Sequence, residues 1–150
     1  YFESLGIKLV TSKMLVGDYC IPSNGSVVVD TKKDMNEIYT DLVQQHERFR
    51  NECMLAQEAG IKLYILIENK NGITCLNEVN KTKNGHYLWT NPQVFVWNKT
   101  RKGKPPVNNS TLRKTMETMQ EKYGVEFLFC APEDAGKKVL ELLQVDIENL

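Results

Sequence analysis

Asp18 and Asp30 stand twelve residues apart, and Lys32 follows the second acid at a spacing of two. Along a β-strand side chains alternate between faces, so Asp30 and Lys32 share one face with Val28, while Val27, Val29 and Thr31 take the other. An apolar strand thus turns abruptly into an acid and a base at its end. An Asn24-Gly25 turn would fold the preceding segment back and bring Asp18 beside Asp30. Carboxylate oxygens are what hard divalent cations bind, and Mg²⁺ typically takes one or two of them together with water and substrate phosphate. A lysine alongside can stabilise charge developing on phosphoryl oxygens. The set has the chemistry of metal-dependent phosphodiester hydrolysis, with Mg²⁺ or Mn²⁺ as the ion.

Other catalytic constellations are absent. The two histidines, His46 and His86, have no Ser or Cys partner at a recognisable spacing, and neither a Gly-rich phosphate loop nor a GxSxG elbow occurs. Kinase, nucleotide-binding and triad-hydrolase readings lose their support. Cys20, Cys53, Cys75 and Cys130 form no CxxC pair, so free thiols in a reducing compartment are expected, and with them a cytoplasmic, or at least intracellular, protein.

The elements that must position the site follow from periodicity. Residues 1–5 read as the end of a helix stopped by Gly6, and 7–16 as a strand. Residues 26–32, rich in β-branched side chains, read as a central strand. Ile38, Leu42, Phe49, Cys53 and Ala56 form an apolar stripe that predicts one helix over 34–59, ended by Gly60. Residues 61–67 form an apolar strand of the kind covered on both faces. Residues 69–108 are Asn- and Lys-rich and predict one or two short helices with at least one loop. Leu112, Met116, Met119 and Tyr123 predict a helix closed by Gly124, then a strand over 125–130 and a last helix opened by Pro132. The pattern is α/β with a mixed central sheet flanked by helices.

The 150 residues carry 19 Lys+Arg against 19 Asp+Glu, which excludes a uniformly basic nucleic-acid binder and requires a local patch. Lys99, Arg101, Lys102 and Lys104, beside Trp97 and before Pro105-Pro106, form the candidate loop along a phosphate backbone. Trp97 or Trp89 could stack on a base, although core tryptophans are the commoner case. The length fits a single domain over 1–150, and a start at Tyr1 inside an apolar stretch suggests an N-terminally truncated one. No apolar run reaches the ~20 residues of a membrane-spanning helix.

Gly17-Asp18-Tyr19, the hairpin, Val29-Asp30-Thr31-Lys32 and the helix segment from His46 to Glu52 resemble the nuclease domain of the XPF/MUS family, structure-specific endonucleases of the PD-(D/E)xK superfamily with a restriction-endonuclease-like fold. Glu68 matches the acid that ends the family's next strand. The resemblance implies Asp18 and Asp30 as metal ligands, with the Thr31 carbonyl as a further one. It implies Lys32 as the catalytic lysine, and Arg48 as a catalytic residue facing the phosphate with Arg50 near DNA. The chain departs from the pattern at Asp30 (Glu in the family), Thr31 (Arg) and Asn36 (an acid), and it begins after the family's upstream acidic motif. DNA is the implied partner, cleaved at branched or flap structures, with repair and recombination as the setting and a homodimer or heterodimer as the assembly. The departures leave an alternative open: a non-catalytic DNA-binding or scaffold subunit built on the same fold.

Overall fold

A computed structural model describes residues 1–10 and 14–146. Its centre is a four-stranded mixed sheet in the order β1-β2-β3-β6. Strand β1 (Tyr19–Ile21) runs antiparallel to β2 (Asn24–Lys32). Strands β3 (Lys62–Glu68) and β6 (Glu126–Cys130) run parallel to β2, with Asp30 opposite Ile65 and Lys32 opposite Ile67.

Alternation along β3 explains the two layers. Leu63, Ile65 and Ile67 face a core built with α2 (His46–Glu58) and α4 (Asn109–Tyr123), where Phe49, Cys53, Ala56, Leu112, Met116 and Met119 are buried. Leu66 and Val29 face the other way, onto Val139 and Leu143 at α5 (Ala135–Leu142). Both faces are covered, which is why the central strand carries no exposed polar stripe. The α4 stripe ends at Gly124 in the left-handed conformation, φ 71°.

Four expectations are corrected. Residues 7–10 and 14–16 are not strand; β1 occupies the edge of β2, and Leu9, Val10 and Leu15 are exposed. Residues 11–13, the middle of that expected strand, lie outside the described residues. The hairpin turns at Pro22-Ser23 rather than Asn24-Gly25, because proline presets the turn while Asn24 already pairs with Ile21. The helix expected over 34–59 is broken: α1 (Met35–Tyr39) passes into a π-helical turn over Thr40–Gln44, Gln45 leaves helical geometry at φ −123°, ψ 37°, and α2 starts afresh. The apolar stripe survives the break, with Ile38, Leu42, Phe49, Cys53 and Ala56 all buried. At the N-terminus, Glu3–Leu5 form a single 3₁₀ turn capped by Gly6.

The segment 69–108 holds a 3₁₀ turn (Leu76–Glu78), a small hairpin of β4 (Thr82–Lys83) and β5 (His86–Tyr87), and α3 (Pro92–Thr100). The hairpin turns on Asn84-Gly85, both at positive φ, a turn signal present in the sequence. Two buried asparagines tie this segment down. Asn109 Nδ2 donates to the Val79 and Trp89 carbonyls at 3.0 and 2.8 Å, and Asn69 binds Ile73 through its N–H and carbonyl. Among the described residues no helix is long and apolar enough to cross a membrane.

Candidate metal and phosphate site

The site forms where β2 ends. Gly17 sits at φ 70° with its Cα against β2: a Cβ there would stand 2.3 Å from Val28 Cγ1, so glycine is required for this close approach. Asp18 N–H then donates to the Val29 carbonyl at 3.0 Å. Its carboxylate turns inward, where Oδ2 accepts from both Thr31 N–H and the Thr31 hydroxyl, each at 2.9 Å. The hairpin therefore brings Asp18 to Asp30, although through a different turn.

Asp30 is 6% exposed. Its Oδ2 lies 3.1 Å from Lys32 Nζ, the two side chains sharing a face as strand alternation requires. A second acid meets the same ammonium: Asp41 Oδ2, from the π-helical turn, at 2.7 Å. Glu52 on α2 adds its charge from a third direction. Asp30 and Asp41 thus flank one lysine, while Asp18 and Glu52 add their charge to Asp30, leaving the cluster in excess of negative charge.

The electrostatics follow. Burial pushes the Asp30 carboxyl from 3.8 up to about 7; Lys32 opposes this, while the charges of Glu52 and Asp18 and a hydrogen bond with Asp18 add to it. For Lys32, burial works against the charged form, but Asp41 and Asp30 outweigh it and hold the ammonium above its ordinary value. Cys53, buried beneath Glu52, is pushed up to about 12 by burial and then by that charge. Glu68 ends β3 one position beyond Ile67, so alternation turns it away from Asp30; it is raised by burial and by Glu37 instead.

The donor set fits a hard divalent cation held by few protein ligands. Asp18 and Asp30 supply two carboxylates, and a cation there would offset the cost of burying Asp30 beside the charges of Glu52 and Asp18. Among the described residues no three His, Cys, Asp or Glu side chains stand ready as a closed cage, so an ion bound here takes its remaining ligands from water or substrate. Thr31 spends its N–H and hydroxyl on Asp18, and so orients that acid.

The other candidate residues are further afield. Arg48 and Arg50 are exposed on α2 around buried Phe49, whose ring lies 6.0 Å from Lys32 Nζ. Among the described residues Arg48 does not pair with Glu52, which turns its charge to Asp30 and Cys53. Lys99 lies in the last turn of α3, and Arg101, Lys102 and Lys104 follow in the exposed loop. Arg101 lies over the Trp97 ring at 4.3 Å, which covers that ring's face. Trp89 is a core residue: it is buried, and its Nε1 donates to Asn36 Oδ1 at 3.0 Å. Asn36, standing where an acid was expected, is thereby a packing anchor. Asp41 is the site residue that the sequence reading missed. Its signal was available, since an acid three residues after Ile38 falls on the buried stripe.

No curated protein matches the chain. The ERCC4 domain family matches residues 1–143. Among solved structures, XPF from Aeropyrum pernix superposes with a TM-score of 0.60 at 15% identity, over 96% of this chain and 56% of that one. The chain thus spans little more than half of that structure, and the likeness is one of fold. With its mixed sheet, its acid-x-lysine strand end and a family match over nearly its whole length, the chain belongs to the ERCC4 domain family and has the nuclease fold of XPF.

Proposed function

We propose that this domain is a divalent-metal-dependent DNA endonuclease that hydrolyses phosphodiester bonds, with Mg²⁺ or Mn²⁺ held by Asp18 and Asp30 and the Thr31 carbonyl as a third oxygen. The observation that carries the reading is the Asp30 carboxyl, buried at the end of β2 under the charges of Asp18 and Glu52 and paired with Lys32. Bound there, such an ion supplies Lewis-acid polarisation of a phosphoryl oxygen and compensation of the charge developing on it. Lys32, kept charged by its acidic neighbours, donates to the same oxygens as an ammonium rather than serving as a base. Thr31 holds Asp18 in its inward rotamer. Arg48, exposed on α2, contacts a neighbouring phosphate, with Arg50 on the same helix. Lys99, Arg101, Lys102 and Lys104 follow the backbone further along. Branched or flap DNA is the proposed substrate, within an intracellular repair or recombination setting and as one half of a homodimer or heterodimer.

One observation favours the scaffold alternative: Lys32 closes directly on Asp30 and so occupies an acid the ion needs. Labelled single-strand, duplex, 3′-flap and forked DNAs, incubated with Mg²⁺ or Mn²⁺, separate the two readings. Cleavage should require the metal and disappear in Lys32→Ala, and Mn²⁺ should raise the melting temperature of the parent but not of Asp18→Asn. DNA binding with no cleavage and no response to Mn²⁺ would leave the scaffold.

A further inference from the structure

We infer that Asp41 is the positioning residue for Lys32, an acid that the π-helical turn delivers to the strand end; the inference rests on the nuclease reading above. Three acids follow β2 before α2 begins, namely Asp34, Glu37 and Asp41. Two are committed to the backbone. Asp34 caps α1 by accepting from Glu37 N–H at 2.9 Å, and Glu37 accepts from Lys33 N–H at 3.0 Å. Asn36 is held by Trp89. Asp41 alone of the three turns its carboxylate to Lys32, at 2.7 Å against 3.1 Å for Asp30. The two side chains are largely shielded, 19% and 11% exposed; Asp41 Oδ2 is buried and accepts no well-aligned hydrogen bond, so what holds it to Lys32 is the ion pair.

The backbone is adapted to this contact. A π-helical turn, closed by Gln45 N–H donating to the Thr40 carbonyl at 2.9 Å, inserts one extra residue between α1 and α2. Such turns are rare and occur frequently at functional sites. Here the turn carries Asp41 beside Lys32 while Leu42 stays in the core and α2 restarts with Phe49 buried. The consequence is chemical. A cation taken up by Asp30 would repel the ammonium beside it and weaken the Asp30–Lys32 contact. Asp41 gives the ammonium a separate anchor, so Lys32 stays in place when Asp30 is engaged elsewhere.

The test compares the parent with Asp41→Asn and Asp41→Glu. Cleavage is assayed with Mn²⁺, and the Lys32 ammonium is followed by ¹H–¹⁵N correlation in metal-free protein at neutral pH. Partners that orient a catalytic group are typically worth about 10–100-fold, so Asp41→Asn should lose that much kcat at unchanged KM, with Asp41→Glu recovering part of it. The Lys32 ammonium signal should be resolved in the parent and in Asp41→Glu, and broadened into solvent exchange in Asp41→Asn. Parental kcat in Asp41→Asn, or an unaltered Lys32 signal, overturns the positioning role. A parent that cleaves no DNA with either metal overturns the nuclease reading instead, and the ammonium signal then decides the Asp41 contact by itself.

Discussion

Asp30→Asn should stabilise the metal-free protein, and by an amount that grows with pH. The carboxyl is ordinary at 3.8 in the unfolded chain and is pushed to about 7 in the fold, first by burial and then, against Lys32, by Glu52 and Asp18. Between those values the folded state binds the extra proton, so stability falls as pH rises through that window. At about 1.36 kcal/mol per pH unit, the ionised acid opposes folding by about 4 kcal/mol at pH 8 and by under about 1 kcal/mol at pH 4. Asparagine keeps the shape of the neutral acid and cannot ionise, so any offset it introduces from packing is constant with pH. Urea unfolding in EDTA at pH 4, 6 and 8 should therefore show the stability difference, variant minus parent, rising by about 3–4 kcal/mol across the range, with the denaturant slope unchanged. At about 2–4 °C per kcal/mol, a thermal melt resolves the same change. A difference that is flat from pH 4 to pH 8 would refute the reasoning, because Asp30 would then not be the acid that the cluster strains.

Two further predictions concern the scaffold around the site. Asn109→Ala removes two hydrogen bonds and leaves the Val79 and Trp89 carbonyls unpaired inside the core, so it should cost about 2–4 kcal/mol in urea unfolding; a loss under about 1 kcal/mol would mean that those carbonyls find other donors. The thiols should react in order of exposure: peptide mapping after treatment with a thiol reagent at pH 8 should find Cys75 modified first and Cys53, buried and pushed up to about 12, modified only on unfolding. Modification of Cys53 in the native state would show that α2 opens locally.

How much of this was legible depends on which physical rule each residue obeys. Strand parity is strict, and from it follow the shared face of Asp30 and Lys32 and the opposite face of Thr31, which is where Asp18 reaches it. The 3.6-residue stripe of α4 was equally clear, because four large side chains repeat on one face and a glycine ends them. The break between α1 and α2 was hidden. Ile38, Leu42, Phe49, Cys53 and Ala56 satisfy one continuous helical pattern whether or not a residue is inserted, since each buried position tolerates tens of degrees of rotation. Residues 7–10 and 14–16 depart from the expected strand for a different reason. An apolar run specifies burial or pairing only if a partner edge is open, and β1 takes that edge.

The same distinction explains why the second anchor of Lys32 was not anticipated while the first was. Asp30 lies two residues from Lys32, and local geometry alone joins them. Asp41 lies nine residues on, and its contact depends on the π-helical turn, an irregularity that no pattern of residue types announces. What the sequence did contain was a conflict, an acid set between Ile38 and Leu42 on a buried stripe. Burying a carboxylate there without a partner would cost several kcal/mol, on the order of the penalty for an uncompensated buried ion. A charged group must therefore wait on the facing element, and the strand beneath offers Lys32. An acid placed against the apolar period was thus a pointer to the site, and it pointed across the fold to the lysine at the end of β2.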